Sequence, residues 1–446
     1  MRIGYLTGEY PRPTDTFIQR EVAALRKYGE AEDTTVHTFS VRYPKSADAL
    51  SEQQAAERDR TSYLLPPNPL EALKSHFSLL AQSPKRYIKA ISLAFKTRQL
   101  GIRGTIYQFI YFVEAGILAR RIQAQGITHL HNHFGDSSGT VTMLAATLAN
   151  IDYSFTLHGP AIFFEPLRWH LTEKIRRAKF VSCISYFCRS QAMIFAPWEA
   201  WPKLQIIHCG IEPELFEKKR SAAKDHQGGE NLIYVGRLAA AKGLPVLLQS
   251  LSTLKLERPD IQLTVIGDGE DRAALEAQAQ ALNLESNVTF VGYQSPTEVR
   301  EHLQSADVFV MSSFAEGVPV VLMEAMMAGL PVVATQIAGI SELVEDGVNG
   351  FLVPPSNIEA LTGQIASLLT DDDLRSRLGT QGQRKVEQDF NIHHEAKKLY
   401  ALITTQNVAG ALKENLLNED SSAIFSQATA QESSNATEEK TLSASH

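Results

Sequence analysis

Two carboxylates separated by a short apolar segment mark the stretch of this chain best suited to chemistry. Glu316 and Glu324 stand eight residues apart in the run FAEGVPVVLMEAMMAGLP. The spacing predicts a helix that begins at Pro319, just after Gly317, and ends before Gly329. Free N–H groups at its start can bind an anion, and carboxylates can accept hydrogen bonds from sugar hydroxyls. The arrangement suits a nucleotide-sugar, although an ordinary helix with one solvated and one buried, paired glutamate fits it equally.

Two cations, Arg237 and Lys242, lie in a loop after the predicted strand LIYVG. Both could reach one diphosphate and neutralise the charge that grows on a leaving group. A pair of solvated surface cations is the alternative. The turn IGDGE, with Gly267 and Gly269, lets backbone approach a planar base or a phosphate, but a simple tight turn explains it as well.

Histidines mark two predicted strands of the first half. His158 ends the strand in FTLHGP, where a neutral imidazole could bind a sugar hydroxyl or a phosphate oxygen. A structural histidine is the alternative. His129, His131 and His133 alternate along HLHNHF and therefore share one side of a strand. We do not favour a metal site there, because no cysteine or carboxylate cluster accompanies them.

The elements that must position these residues form two series of alternating strands and helices, which predicts parallel α/β sheets. RIGYLTGEY is a strand, residues 17–28 form a helix, and TTVHTFSV is the next strand. Residues 45–125 are mostly helical. Further strands of the first half are ITHLHNHF, YSFTLHG, KFVSCIS and LQIIHCG. In the second series each strand ends in Gly or Ser before a helix, at the sheet edge where ligands bind.

Composition bounds the class of protein. A chain of 446 residues predicts two domains, and its 44% hydrophobic and 21% charged content is ordinary for a soluble globular protein. The net charge of −7 argues against general nucleic-acid binding. Three cysteines without a CxxC pair fit a reduced, cytosolic protein. No apolar run reaches the roughly 18–20 residues that a membrane span needs.

Positive charge is concentrated in residues 74–121. Nine Lys and Arg side chains oppose Glu114 alone there, a net charge of +8, and they alternate with apolar residues such as Phe77 and Ile88. This mixture suits a helix lying on an anionic membrane surface. A solvated helical face over a normal core is the alternative.

The same patterns predict domain boundaries. We expect a first domain over residues 1–212, a linker over 213–230 and a second domain over 231–385. Helices over 386–405 would dock back toward the first domain. Residues 406–446 are rich in Ser, Thr, Ala, Glu and Asn, which predicts a disordered tail.

Taken together, the motifs resemble those of the retaining GT-B glycosyltransferases of family 4. The matching segments are YVGRL, AAKG, VIGDGE, FVGY, EGVPVVLMEAMMAGLPVVAT and ELVEDGVNGFLVPP, in the family's order. The resemblance implies two Rossmann-like, doubly wound α/β domains that face each other across a cleft. It implies a nucleotide diphosphate sugar as donor and no required metal ion or other cofactor.

The resemblance also implies roles for individual residues. Arg237 and Lys242 would bind the donor diphosphate, and Glu316 would contact the transferred sugar. Glu324 would hold the ribose hydroxyls, and His158 would line the donor-sugar site from the first domain. Further residues of the donor site would be Gly236, Gly267, Gly269, Gly292, Gly317, Val318 and Pro319.

The first half looks more narrowly like exopolysaccharide and colanic-acid-type transferases. YPRPTDTFIQREVAALRKYG and HNHFG carry that similarity, and they make Thr16 and His133 candidates for substrate binding. The implied acceptor is a glycan or lipid-linked saccharide. The charge of residues 74–121 and the overall net charge add a peripheral contact with an anionic membrane and no nucleic-acid partner. A nucleotide-sugar 2-epimerase on the same fold and an inactive sugar-nucleotide-binding protein are the alternatives.

Overall fold

Two parallel sheets organise the chain, as the alternation of apolar strands with helices predicts. The structure is a computed structural model that describes residues 1–45, 51–216 and 230–405. The predicted tail lies outside these residues, as does most of the predicted linker. Met1–Leu399 forms one compact unit that holds both sheets. The second unit is Tyr400–His446, of which residues 400–405 are described and end the last helix.

The first sheet has seven parallel strands in the order β3-β2-β1-β4-β5-β6-β7. Its strands are β1 Arg2–Glu9, β2 Thr35–Arg42, β3 Ser62–Tyr63, β4 His129–His133, β5 Asp152–Leu157, β6 Val181–Cys183 and β7 Leu204–Ile206. Strand β1 pairs with both β2 and β4, so the strand order reverses beside it. Ligands of open α/β sheets bind at such a point, beyond the carboxyl ends of the strands.

Nine α-helices of the described residues pack around this sheet. They are α1 Thr16–Ala31, α2 Glu52–Arg60, α3 Pro69–Gln82, α4 Pro84–Lys96, α5 Gly101–Gln125, α6 Ser137–Ala149, α7 Ala161–Phe164, α8 Leu171–Arg177 and α9 Tyr186–Phe195. The stretch predicted as mostly helical thus contains four helices, α2 to α5, and the short edge strand β3. Two residues in a strand carry too little periodicity to be recognised in a sequence.

The second sheet has six parallel strands in the order β10-β9-β8-β11-β12-β13. They are β8 Asn231–Val235, β9 Gln262–Ile266, β10 Val288–Gly292, β11 Val308–Met311, β12 Val332–Thr335 and β13 Phe351–Val353. Its helices are α10 Leu244–Glu257, α11 Arg272–Ala281, α12 Pro296–Ser305, α13 Val320–Met327, α14 Ile340–Leu343, α15 Ile358–Thr370 and α16 Asp372–Asp389. The order reverses beside β8, which pairs with β9 and β11.

Helix α13 is the central helix that the sequence predicts. Pro319 is its N-cap rather than its first helical residue, a difference of one position. Leu322, Met323 and Met326 are fully buried, which fixes the helix against the second sheet. Gly329 follows with a left-handed φ of +79°, the conformation that ends a helix at a glycine.

The end of the second domain returns to the first. The N–H of Ile211 donates to the carbonyl of Phe390, and the N–H of Ile392 donates to the carbonyl of Ile211. Helix α17, Ile392–Thr404, follows, and its Glu395 accepts a hydrogen bond from the backbone N–H of His208. These contacts connect the two domains at a second place besides the covalent chain.

Candidate active site

A cavity of about 250 Å³ lies where the carboxyl ends of the two sheets meet. The first domain contributes side chains from the loop after β1, the start of α1 and the ends of β5, β6 and β7. The second domain contributes the ends of β8 and β11 and the start of α13. The lining residues are Thr14, Phe17, His158, Ile184, Cys209, Tyr234, Val235, Gly236, Lys242, Met311, Ser313, Glu316, Gly317, Val318, Pro319, Val320 and Val321.

An ion pair between Lys242 and Glu316 forms the polar wall of this cavity. Lys242 ends the short turn after β8, and Glu316 follows β11, so adjacent strands of one sheet bring them together. The Lys242 Nζ lies 2.6 Å from Glu316 Oε1, and the Ser313 hydroxyl donates to the same oxygen at 2.8 Å. Glu316 is only 8% exposed. Its carboxylate is therefore held in one orientation by two donors.

The start of helix α13 faces the same cavity. Val320 and Val321, the first residues of the helix, line it together with Gly317, Val318 and Pro319. The first N–H groups of a helix have no intrahelical partner, and the helix dipole places partial positive charge there. The cavity therefore combines an ammonium group with a helix N-terminus, a combination that favours a bound anion.

His158 forms the opposite wall, at the end of β5. The Phe17 ring packs on its imidazole with centroids 4.6 Å apart, and the Cys209 sulfur lies 3.6 Å from its Nδ1. Burial lowers the pKa of His158 well below its usual range, with a further decrease from the neighbouring His133. The imidazole is therefore neutral at physiological pH and can exchange hydrogen bonds without bringing charge.

The two domains approach most closely at a pair of glycines beside His158. Gly159 has a φ of +138°, a conformation that L side chains rarely adopt, and its added Cβ would lie 2.9 Å from the Cα of Gly317. A Cβ on Gly317 would lie 2.2 Å from the carbonyl oxygen of His158. Glycine at both positions permits this close backbone approach, and His158 and Glu316 line the same cavity beside it.

Of the predicted site residues, seven line the cavity: His158, Gly236, Lys242, Glu316, Gly317, Val318 and Pro319. Arg237 lies beside Gly236 but points outward, with 69% of its side chain exposed and an ion pair to Glu270 at 2.9 Å. It does not contact the cavity in this arrangement.

Three predicted glycines lie behind the turn of Gly236. An added Cβ on Gly267 would meet the Gly236 carbonyl at 2.0 Å, and one on Gly269 would meet the Leu238 carbonyl at 2.2 Å. The Gly267 N–H donates to the carbonyl of Gly292. These glycines therefore shape the loops next to the cavity rather than its lining.

The remaining predicted residues lie around the first-domain helix α1. Glu324 is bound by Arg20 across the domain boundary, with 2.6 Å between Arg20 Nη2 and Glu324 Oε1. Thr16 begins α1 and lies outside the cavity, whereas its neighbours Thr14 and Phe17 line it. His133 is fully buried behind His158, and their ring nitrogens are 2.7 Å apart.

Four residues at or near the site are not predicted from the sequence: Arg20, Glu21, Ser313 and Cys209. A signal was present for Glu21, which lies four residues after Phe17 and therefore on the apolar stripe of the predicted helix. A charged residue on a buried stripe needs a partner, and such a partner indicates a site. Ser313 and Cys209 stand at strand ends, where the ligand edge was expected.

One carboxylate, which the sequence did not indicate, lies beside the strand histidines. Within the described residues, Glu21, His131 and His133 have ligand atoms within 4.8 Å of one another. The His131 nitrogens already bind the hydroxyls of Ser154 and Thr156. The His133 nitrogens bind His158 and Glu21. A hydrogen-bonded cluster accounts for all these atoms.

A larger cavity of about 670 Å³ opens elsewhere on the first domain, near the junction of α4 and α5. Its Lys96 and Arg168 are paired with Glu173 and Glu165. It is remote from the strand ends, so the smaller cavity is better placed for chemistry. Among the helices of the described ranges, none combines the length and apolar character needed to cross a membrane.

Known structures share this architecture. HepE from Anabaena, solved in complex with UDP, aligns with a TM-score of 0.68 at 19% identity, over 90% of this chain and 98% of HepE. HepE has also been solved with UDP-glucose. Two parallel Rossmann-like sheets with the site between their carboxyl ends define the GT-B fold, and this chain has it.

A family model matches the second domain. Residues 216–385 match the family model described as Glycosyl transferases group 1. The amylovoran biosynthesis glycosyltransferase AmsK of Erwinia amylovora is 34% identical over 207 residues, 45% of this chain and 50% of AmsK. The putative colanic acid biosynthesis glycosyltransferase WcaL of Salmonella typhimurium is 36% identical over 182 residues, 39% of this chain and 45% of WcaL. The matched segments thus span about half the length of these curated relatives.

Proposed function

We propose that this protein is a retaining hexosyltransferase that moves a hexose from a nucleotide diphosphate sugar to a lipid-linked glycan during cell-surface polysaccharide synthesis. The observation that carries the proposal is the cavity in which Lys242, Glu316 and the start of α13 face His158 across the domain boundary. The similarity to amylovoran and colanic acid transferases supports the polysaccharide context.

The size of the cavity suits one sugar rather than a whole nucleotide-sugar. Sites for complete small molecules occupy roughly 300–1,000 Å³, whereas this cavity measures about 250 Å³. The hexose would lie between Glu316 and His158, with the diphosphate toward Lys242 and the start of α13. The nucleoside would extend along the turns of Gly267, Gly269 and Gly292.

The positive groups would supply most of the catalysis. Negative charge grows on the nucleotide diphosphate as its bond to the sugar breaks, and Lys242 with the helix N-terminus would stabilise it. Arg237 would join them by leaving its exposed pair with Glu270, since exposed ion pairs contribute little. These charges would do the work that a metal ion does elsewhere, so we expect transfer without added metal.

Retention requires the acceptor to attack from the face that the nucleotide leaves. Glu316, bound by Lys242 and Ser313, would orient the sugar hydroxyls and keep that face open. Positioning of the two substrates would then replace a protein nucleophile. Glu324 would accept the ribose hydroxyls while Arg20 holds it from the first domain.

The proposed acceptor side includes a membrane surface. Helices α3 to α5 expose large apolar side chains beside the basic residues that give this region its charge. These side chains include Leu73, Phe77, Ile88, Phe95, Ile102, Ile106 and Phe109, each more than half exposed. Apolar groups among Lys and Arg fit the interface of an anionic bilayer. These side chains support our proposal that the protein lies peripherally on the cytoplasmic face of the membrane.

A donor panel tests the function directly. Purified protein would be incubated with single nucleotide-sugars in the presence of EDTA, and slow hydrolysis would be measured with and without lipid-linked acceptor. Lys242→Ala and Glu316→Ala should each lower turnover by about 10²–10³-fold. Lys255→Ala is the matched control, because this partly buried lysine of α10 donates to the Asn283 carbonyl and does not line the cavity.

The outcomes separate the alternatives. Transfer with an unchanged anomeric configuration supports the proposal. An inverted product would contradict retention, and isomerisation of the donor alone would indicate a 2-epimerase. Near-wild-type turnover by both site variants would remove the assignment of Lys242 and Glu316, and binding of a nucleotide-sugar without any turnover would indicate an inactive binding protein.

A further inference from the structure

A row of buried polar side chains continues from His158 into the first domain. His158 Nε2 lies 2.7 Å from His133 Nδ1, and His133 Nε2 lies 3.1 Å from Glu21 Oε1. The Tyr5 hydroxyl donates to that same carboxylate oxygen at 2.7 Å. His133 is fully buried and Glu21 is 7% exposed. The row thus joins a cavity-lining imidazole to a carboxylate that solvent scarcely reaches.

The hydrogen-bond inventory gives this row a direction. A carboxylate only accepts, so His133 donates to Glu21 through its Nε2–H. A neutral imidazole carries one ring proton, and the Nδ1 of His133 is therefore an acceptor. The proton between the two rings must then belong to His158 Nε2. It follows that Nδ1 of His158, the atom nearest the Cys209 sulfur, holds a lone pair.

We propose that Glu21 and His133 are positioning residues, which hold His158 as its Nε2–H tautomer so that Nδ1 accepts a hydrogen bond from a hydroxyl of the transferred hexose. The inference rests on the proposed function, and it assigns His158 as the acceptor and the sugar hydroxyl as the donor of their hydrogen bond. His133, predicted from its motif as a substrate-binding residue, acts here through His158 without touching the substrate.

Burial supports neutral rings throughout the row. It lowers the pKa of His133 to about 3 and lowers that of His158 well below its usual range. Burial also raises the pKa of the Cys209 thiol, so this group is an S–H at physiological pH and can donate weakly to Nδ1. A sugar hydroxyl is the stronger donor and would replace the thiol at this lone pair.

The aromatic rings packed around His158 do not select its tautomer. The rings of Phe17 and Phe134 pack against the His158 imidazole at tilted angles, with centroids 4.6 and 4.9 Å away. Neither side chain bears a polar group. Contacts with these rings restrict the plane of the imidazole but do not choose between its tautomers. The Cys209 thiol, a weak donor to Nδ1, favours the same tautomer. The stronger contact is the one with His133, whose own tautomer is set by Glu21.

The tautomer can be observed without any substrate. Protein labelled with ¹⁵N-histidine would be studied by long-range ¹H–¹⁵N correlation at pH 7.5, and the His158 signals would be assigned by their loss in His158→Gln. We expect a protonated Nε2 and an unprotonated Nδ1. A protonated Nδ1, or rapid exchange between both forms, would overturn the assignment whatever the enzyme activity.

Variants of His133 test the consequence for turnover. His133→Phe keeps the volume but removes both hydrogen bonds, and it should mix the tautomers of His158 and lower kcat by roughly 10- to 100-fold. His133→Gln offers one acceptor and one donor, and it should recover kcat to within about fivefold and restore the single tautomer. His129→Phe is the matched control, because His129 lies on the same buried strand but binds Ser154.

A purely structural role would give a different pattern. If His133→Phe and His133→Gln lowered kcat equally, or if His129→Phe lowered it as much, the positioning role would be refuted. Wild-type protein that showed the expected tautomer but turned over no nucleotide-sugar would instead refute the proposed function. The two failures are therefore distinguishable.

Discussion

Gly317→Ala should separate the two walls of the site while leaving each domain folded. A Cβ at this position would lie 2.2 Å from the carbonyl oxygen of His158 and 2.9 Å from a methyl carbon of Ile184. Ordinary contact begins near 3.4 Å, so the domains must part by roughly 1 Å at His158. The obstacle is a backbone carbonyl, which cannot rotate away as the end of a side chain can.

The expected effect follows from the geometry of catalysis. A misplacement of about 1 Å can lower a rate by roughly 10²-fold, which corresponds to about 2.7 kcal/mol of barrier. The nucleotide would bind to residues of the second domain, on one side of the displaced contact. We therefore expect Gly317→Ala to lower single-turnover transfer by about two orders of magnitude, with the Kd for the nucleoside diphosphate changed by less than about fivefold.

The control is Gly363→Ala, on the exposed face of α15, where an added Cβ meets nothing within 4 Å. It should leave transfer unchanged and stabilise the fold by about 0.5–1 kcal/mol. Rapid-quench turnover, calorimetric nucleotide titration and thermal unfolding would be measured for both variants. If Gly317→Ala turned over as fast as the wild type, the close approach of the two domains at His158 and Gly317 would not be needed for the reaction.

Three further predictions use other parts of the structure. Burial raises the pKa of Glu114 from 4.5 to about 7, so the native state binds a proton that the unfolded chain releases, and stability falls as the pH rises through this range. Glu114→Gln should remove this pH-dependent loss of unfolding free energy, about 3 kcal/mol at most, when urea unfolding is compared at pH 4.5 and pH 8. An equal loss in the wild type and the variant would refute the prediction. Arg20→Met should weaken nucleotide binding about tenfold, because Glu324 loses its orienting partner; an unchanged Kd by calorimetry would contradict this. Replacing Phe77 and Phe109 together by Ser should reduce sedimentation with anionic vesicles at least fivefold without changing donor hydrolysis, and equal sedimentation would exclude this surface.

The sequence predicts the second domain well because its signals are local. Lys242 and Glu316 each follow a strand, and the ends of parallel strands of one sheet meet at one edge. The GT-B fold and the similarity to polysaccharide transferases are both confirmed. The same reasoning finds helix α13, because Pro319 and Gly329 mark its two ends within one residue.

The contacts between elements could not be predicted in this way. Arg20 and Glu324 are 304 residues apart, and Glu21 and His133 are 112 residues apart. No periodicity within one helix or strand encodes which side chain of another element will face it. The sequence therefore does not show that Glu21 lies beside the strand histidines. Short strands such as β3 and β13 are not predicted for a related reason. They are defined by pairing at a sheet edge and not by a local sequence pattern.

Three cations near the site, among the residues that the structure describes, each have a carboxylate partner. Lys242 binds Glu316, Arg237 binds Glu270, and Arg20 binds Glu324. Without ligand these pairs cancel, so the start of α13 supplies most of the net attraction for an anion. A diphosphate that takes the Lys242 ammonium releases lone pairs of Glu316, and these can then accept the hydroxyls of the attached sugar. A nucleoside diphosphate without sugar would leave that buried carboxylate short of donors, which costs free energy. We therefore expect the diphosphate and the sugar to favour each other's binding. In Glu316→Gln the affinities for a nucleotide-sugar and for the same nucleoside diphosphate without sugar should differ less than they do in the wild type.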